Sequence, residues 1–245
     1  MSPVALVTGG AVRVGRALSL GLAEAGYDVV VNFHTSKASA AEVAERIEAL
    51  GRTPLLAPGD VSASDAVTEI ARRVRDRFGA LDLLVNNAST FFQNPLLEVG
   101  EEEWDRAMAV NVKGPFLLAR ELAPELGAAR GSVVNVTDLS AFTPWKSFPH
   151  HSVSKAALLH LTRVMAKALA PDVRVNAVAP GTVLPPDDYG PKERERSRKR
   201  TLLGTLGTPD DVVRSVLFLA RSPFGTGEVV VVDGGQSLMG SRDEI

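Results

Sequence analysis

The sequence predicts a doubly wound α/β fold from three observations. Short apolar runs alternate with helix-like stretches along the whole chain, a glycine-rich turn follows the first run, and polar residues of chemical interest stand just beyond the carboxyl ends of the runs. Val4-Ala5-Leu6-Val7 is continuously apolar, as a parallel strand covered on both faces requires. The stretch from Thr8 to Gly15 then turns the chain into a helix, with Val14, Leu18, Leu22 and Ala25 at helical spacing until Gly26 stops it. Glycines let the backbone approach a diphosphate, and the free amides of a helix start point at it. Gly9, Val14 and Gly15 are therefore candidate cofactor contacts. Arg13 takes the place of an expected glycine; a positive φ is costly for arginine, but its guanidinium can hold a phosphate in bidentate fashion.

The later runs are Val29 to Val31, Pro54 to Ala57, Leu81 to Val85, Val133 to Val136, Val173 to Ala179 and Val229 to Val232, which makes seven strands with the first. Right-handed crossovers through the intervening helices give one Rossmann-type domain over residues 1–245, with a parallel sheet in the order 3-2-1-4-5-6-7. Residues 180–205 read as a mobile substrate-loop insertion over the crevice. Residues 192–200 within it carry six positive and two negative side chains, either a solvated helical face or an attraction for an acidic substrate tail.

Bulk properties narrow the function. The 245 residues, 45% hydrophobic, suffice for one large core. A net charge of −2 leaves no broad footprint for nucleic acid or an anionic membrane, and no apolar stretch is long enough to span a bilayer. No basic-then-apolar leader opens the chain, so a cytoplasmic location is the expectation. Zero cysteines exclude thiol nucleophiles and zinc-thiolate sites. His150 and His151 are adjacent, so their side chains point apart, and no third ligand is evident; no metal site is expected.

After the second strand come Asn32-Phe33-His34-Thr35-Ser36-Lys37, without the carboxylate that usually holds the ribose hydroxyls of NAD. His34, Thr35 and Ser36, with charge from Lys37 and Arg13, suit a 2′-phosphate and favour NADP(H); an ordinary polar loop is the alternative. Asp60-Val61 follows the third strand, and Asn86-Asn87-Ala88-Ser89 the fourth. Further along stand Asn111, Lys155 in Val-Ser-Lys-Ala-Ala, Pro180-Gly181, and Val232-Asp233-Gly234-Gly235. From Val4 to about Leu238 this series resembles the short-chain dehydrogenase/reductase family. The resemblance implies that Asp60 and Val61 border the adenine, that Asn87 and Ala88 lie along the cofactor ribose, and that Lys155 binds the nicotinamide ribose with support from Asn111 through water. It also implies that Pro180, Gly181, Thr182 and Val183 orient the carboxamide.

Arg13, Ser89 in place of the last glycine of Asn-Asn-Ala-Gly, and Asp138 in place of the usual serine make the chain similar to the pteridine reductases. By that match Ser89 and Phe91 hold a flat substrate; packing of Phe91 and Phe92 in the core or a lid is the alternative. A further position departs from both groups: four residues before Lys155 stands His151, not tyrosine, and Tyr27 and Tyr189 are the only phenols. Tyr27 precedes the second strand, at the wrong end of the sheet, and Tyr189 lies in the insertion. Hydride transfer to a carbonyl or imine needs a proton donor within hydrogen-bond reach. His151 paired with Asp138 is expected to supply it, Asp138 either orienting the ring or relaying the proton.

The function expected is NADPH-dependent reduction of a pterin-like heterocycle or carbonyl compound. The alternatives are a general carbonyl, sugar or 3-oxoacyl reductase, and a non-catalytic NADP-binding protein. The resemblance also implies a homotetramer or homodimer formed through long helices near Glu101 to Leu126 and Val153 to Leu169. Leu158, Leu161, Met165 and Leu169 supply either that face or core.

Overall fold

The computed structural model describes residues 2–185 and 189–239. Seven strands form one wholly parallel sheet: β1 Val4–Val7, β2 Asp28–Phe33, β3 Pro54–Pro58, β4 Leu83–Asn86, β5 Ser132–Val136, β6 Arg174–Pro180 and β7 Val229–Val232. Their order across the sheet is β3-β2-β1-β4-β5-β6-β7, as the sequence predicts. The register of β1 shows why the strands need apolar residues at every position. Ala5 and Val7 pack into one core cluster, and Val4 and Leu6 into the other, so neither face is left to water.

Helices cover both faces. On one side lie α1 (Arg13–Glu24), α2 (Lys37–Ala49) and, near the end of the chain, α9 (Pro209–Arg221). Gly21 of α1 is required there by packing, because a Cβ on it would stand 2.5 Å from Val213 Cγ1 of α9. The other side holds α3 (Ser64–Phe78), then α4 (Glu101–Met108), α5 (Gly114–Glu121), α6 (Ala123–Ala129) and α7 (Pro149–Leu169). The one long helix expected over 101–126 is interrupted. Residues Ala109–Lys113 form a π-turn between α4 and α5, and Leu122 separates α5 from α6. Of the two readings open for the apolar row of α7, the structure shows the core one: Leu158 and Met165 are buried, and Leu161 and Leu169 pack against the core. At this spacing the four side chains serve the domain's own interior.

The expected insertion contains an eight-residue helix, α8 (Pro191–Arg198); residues 186–188 lie outside the described residues. Among the described residues no helix is long and apolar enough to cross a membrane.

Candidate active site

The glycine turn is shaped by close approach. Gly9 has φ +60°, and a Cβ on Gly15 would lie 2.0 Å from the Gly9 carbonyl oxygen and 2.7 Å from Asn87 Nδ2. Asn87 fastens the turn by donating from Nδ2 to the Thr8 carbonyl at 2.9 Å, and Thr8 Oγ1 accepts from the backbone amides of Asn87 and Ala88. The first turn of α1 has neither a side-chain cap nor an acidic residue, so its amides remain for an anion. These features fit the diphosphate of a dinucleotide.

Arg13 does adopt the left-handed conformation, with φ 50°, a strain of roughly 1 kcal/mol or more. Its guanidinium donates to the Leu184 carbonyl at 3.0 Å, bridging from the glycine turn to the segment after β6. That segment begins Gly181-Thr182-Val183, where the Gly207 amide donates to the Thr182 carbonyl and Val183 is buried. Beyond β2, His34 and Thr35 are exposed and Ser36 half-buried, with no carboxylate among them.

Asp60 lies beyond β3 and is fully engaged. It accepts from the amide and hydroxyl of Ser62 and from Arg106 at 2.7 Å, beside the buried Val61. Burial pushes its carboxyl up, but these bonds outweigh burial and hold it at about 2. A carboxyl depressed on folding stabilises the fold above its unfolded value, and that contribution disappears as pH falls through the folded one. Asp60→Asn is therefore expected to melt below the wild type at pH 7, with the gap closing as pH falls from about 4 toward 2. Thermal melts recorded across that range check it.

The second half of the site is assembled by β5 and α7. A buried chain of bonds joins them: Asn86 Nδ2 donates to Asn135 Oδ1, Asn135 Nδ2 to Thr162 Oγ1, and Thr162 Oγ1 to the Leu158 carbonyl. Pro149 starts α7, where a missing amide costs nothing. His151 and Lys155 then fall one turn apart, on one face, above the end of β5. Lys155 is buried, and its Nζ donates to the Val136 carbonyl at 2.9 Å. Burial lowers its pKa, and the nearby Asp138 partly opposes that effect.

Asp138 accepts at one oxygen from the amide of Ser140 at 2.8 Å and from its hydroxyl, capping the turn Leu139–Ala141. Its other oxygen, Oδ2, lies 2.5 Å from His151 Nε2. Burial alone would raise the Asp138 carboxyl; the His151 bond, the Lys155 charge and the Ser140 hydroxyl together hold it below the usual range.

His151 is 2% exposed, and its Nδ1 lies 3.1 Å from the Thr90 carbonyl oxygen. A carbonyl only accepts, so Nδ1 carries hydrogen. One further proton lies in the contact between Nε2 and Asp138 Oδ2, since a bare nitrogen facing an ionised carboxylate would be repulsive. The ring is walled by aromatics: Trp145 stacks at 6.1 Å between centroids and 19°, and Phe91 meets it edge to face at 4.9 Å. Phe91 in turn stacks on Phe148 at 4.4 Å, yet remains 56% exposed. Ser89, also exposed, donates to the Thr90 carbonyl at 3.3 Å.

Asn111 sits in the π-turn, buried to 1% exposure. Its Oδ1 accepts from the Thr90 amide and its Nδ2 donates to Ser154 Oγ, both at 2.9 Å, so its side chain holds the Thr90 loop against α7. His150 points away from His151: it is buried near Phe92, with neither ring nitrogen hydrogen-bonded. No group of three or more potential metal ligands occurs among the described residues.

Thr90, Trp145, Phe148 and Ser140 are not singled out by the sequence. Thr90 contributes a carbonyl, which any residue provides, and the aromatic wall comes from irregular chain without periodicity. Asp60, Asn87, Asn111, Asp138, His151 and Lys155 all occur at the carboxyl end of the sheet or on the helices packed there.

A parallel sheet in this order, with a glycine turn opening α1 and a His151–Asp138 pair beside a buried lysine past β5, is the architecture of a nucleotide-binding domain of Rossmann type. The chain belongs to the short-chain dehydrogenase/reductase family. Residues 10–237 match the family described as enoyl-(acyl carrier protein) reductase. The 3-oxoacyl-[acyl-carrier-protein] reductase of Staphylococcus epidermidis is 33% identical over 245 residues, 96% of this chain and 99% of that one. That of Thermotoga maritima is 34% identical, over 95% of this chain and 96% of its own. A crystal structure from Agrobacterium tumefaciens, ascribed to a gluconate dehydrogenase, superposes with a TM-score of 0.90 at 28% identity, covering 97% of this chain and 96% of its own.

Proposed function

We propose that the protein is an NADPH-dependent reductase of a flat, pterin-like heterocycle or a carbonyl compound, in which Asp138 and His151 together replace the family's phenol as proton source. The observation that carries the reading is the engagement of both His151 nitrogens, by Thr90 and by Asp138.

The cofactor would lie with its diphosphate on Gly9, Val14 and Gly15 and its ribose near Lys155 and Asn87, with Asp60, Val61 and Ala88 along the adenosine half. His34, Thr35, Ser36 and Arg13 offer the 2′-phosphate donors and no opposing carboxylate. Pro180, Gly181, Thr182 and Val183 border its carboxamide. When bound, it supplies the hydride.

The chain's own part is the proton. As negative charge develops on a substrate nitrogen or oxygen, the proton shared by Nε2 and Oδ2 passes to it. His151 is left neutral, with its hydrogen on Nδ1, the tautomer that the Thr90 carbonyl holds. Asp138 is the member of the pair facing the crevice, its side chain 18% exposed against 3% for His151, so delivery runs through the carboxylate. Lys155 contributes positive charge below the pair. Phe91, backed by Phe148 and open on its other face, suits stacking on a planar ring, and Ser89 offers a hydroxyl to its edge.

A second reading, a 3-oxoacyl or general carbonyl reductase, is favoured by the names of the relatives. Spectrophotometric oxidation of NADPH separates the two. Faster turnover of 7,8-dihydrobiopterin than of ethyl acetoacetate is expected, the reverse order supports the second reading, and tight NADPH binding without turnover of either overturns both.

A further inference from the structure

Helix α8, with the sequence PKERERSR, buries none of its residues. Eight residues are too few to form a helix by propensity alone, and an apolar face that could compensate is absent. Its charges oppose it further. Lys192 and Arg196, and Arg194 and Arg198, stand four residues apart with like charges facing, and Arg200 prolongs the first row. Among the described residues, the single ion pair of this segment joins Arg198 to Glu195 at 3.7 Å, with both side chains 55% exposed. Such a pair stabilises little. Over residues 192–200, six cations against two carboxylates, in a chain of net charge −2, leave local positive charge unanswered.

The second row faces a hollow. Arg194 and Arg198 line a space of about 510 Å³ together with Val183, Leu184 and Pro185 and residues 204–209. Val183 to Pro185 continue β6 past the carboxyl end of the sheet, and Leu184 is the residue that Arg13 reaches from the glycine turn. The hollow therefore adjoins the crevice. Its α9 side is already closed, because Thr208 and Asp211 satisfy each other in a capping box and Asp211 also pairs with Arg214. The two arginines are what the hollow offers to a charged guest.

We infer that Arg194 and Arg198 form a subsite for an anionic group, phosphate or carboxylate, carried at the far end of the substrate whose reactive end lies at Asp138. Guanidinium matches either anion in bidentate fashion, and the apolar walls suit the tether between the two ends. The inference rests on the reductase reading and adds that the substrate is an anion-tailed molecule.

Two substrate pairs test it. Acetoacetyl-coenzyme A carries phosphate where ethyl acetoacetate has none, and 7,8-dihydrofolate carries carboxylates where 7,8-dihydrobiopterin has none. The double variant Arg194→Glu/Arg198→Glu is expected to raise KM for a tailed member by roughly tenfold or more, the equivalent of one lost charge-assisted hydrogen bond. Neither kcat nor the KM of the untailed member should move, and whichever pair responds tells phosphate from carboxylate. Equal change in both members, or none, overturns the inference. Arg194→Gln/Arg198→Gln, with an unaltered melting temperature, must repeat the pattern in weaker form. Should the wild type reduce none of the four compounds, the functional reading falls by itself. Calorimetry with coenzyme A and with folate then decides the subsite: binding of either that the charge reversal abolishes upholds it, and binding unaffected by the reversal, or absent from the wild type, overturns it.

Discussion

Asp138→Asn is expected to lower kcat by roughly 10²–10⁴-fold, the usual scale for removing a positioned acid-base group, while the Kd for NADPH stays within about twofold. Asparagine keeps the shape of the side chain, and its carbonyl oxygen can still accept from the amide of Ser140, so the turn after β5 is preserved. What disappears is the negative charge that holds a proton between the carboxylate and His151 Nε2. The ring retains its hydrogen on Nδ1 through Thr90, and that proton faces a carbonyl rather than the crevice. In the wild type, against the upward push of burial, the Asp138 carboxyl is held below its ordinary range by the His151 bond, the Lys155 charge and the Ser140 hydroxyl, so at neutral pH it is ionised and able to hold the proton it shares with Nε2. Single-turnover oxidation of NADPH by the variant, paired with calorimetric titration of the cofactor, is the measurement. A kcat within threefold of the wild type would show that the proton comes from elsewhere.

The contrast between what the sequence reveals and what it hides follows from the kind of atom involved. Strand positions were legible because burial on both faces demands apolar residues at every step, so Val4–Val7 and Val229–Val232 can be read directly. Asp138, His151 and Lys155 were legible through the family resemblance, whose pattern marks these three positions by their distance from one another. The clamp on His151 was not, since one of its two partners is a backbone carbonyl, and neither was the π-turn, a single extra residue per turn that leaves the helical pattern around Asn111 almost intact. The apolar row on α7 was ambiguous in sequence, because a helix face looks the same whether it meets its own core or a partner. Burial of Leu158 and Met165 resolved it.

Gly15→Ala is expected to abolish NADPH binding, raising Kd by at least two orders of magnitude, and to lower the melting temperature, although alanine is the better helix former. Propensity favours the substitution by roughly 1 kcal/mol within a helix. Sterics decide against it: the added Cβ would stand 2.0 Å from the Gly9 carbonyl oxygen, a backbone atom with no rotamer to change, and 2.7 Å from Asn87 Nδ2. Relief requires the first turn of α1 to move away from Gly9, which takes its uncapped amides out of position, or Asn87 to release the Thr8 carbonyl, which frees the loop carrying Ala88 and Ser89. Either movement dismantles the anion site. Gly127→Ala provides the control. Gly127 lies within α6, its nearest neighbour to an added Cβ is 3.9 Å away, and the same substitution there should stabilise the protein by about 0.5–1 kcal/mol without touching cofactor affinity. Fluorescence titration with NADPH and thermal melts of both variants make the comparison. Ordinary affinity in Gly15→Ala would mean that the turn after β1 does not carry the diphosphate, and the placement of the cofactor, with every role that depends on it, would have to be abandoned.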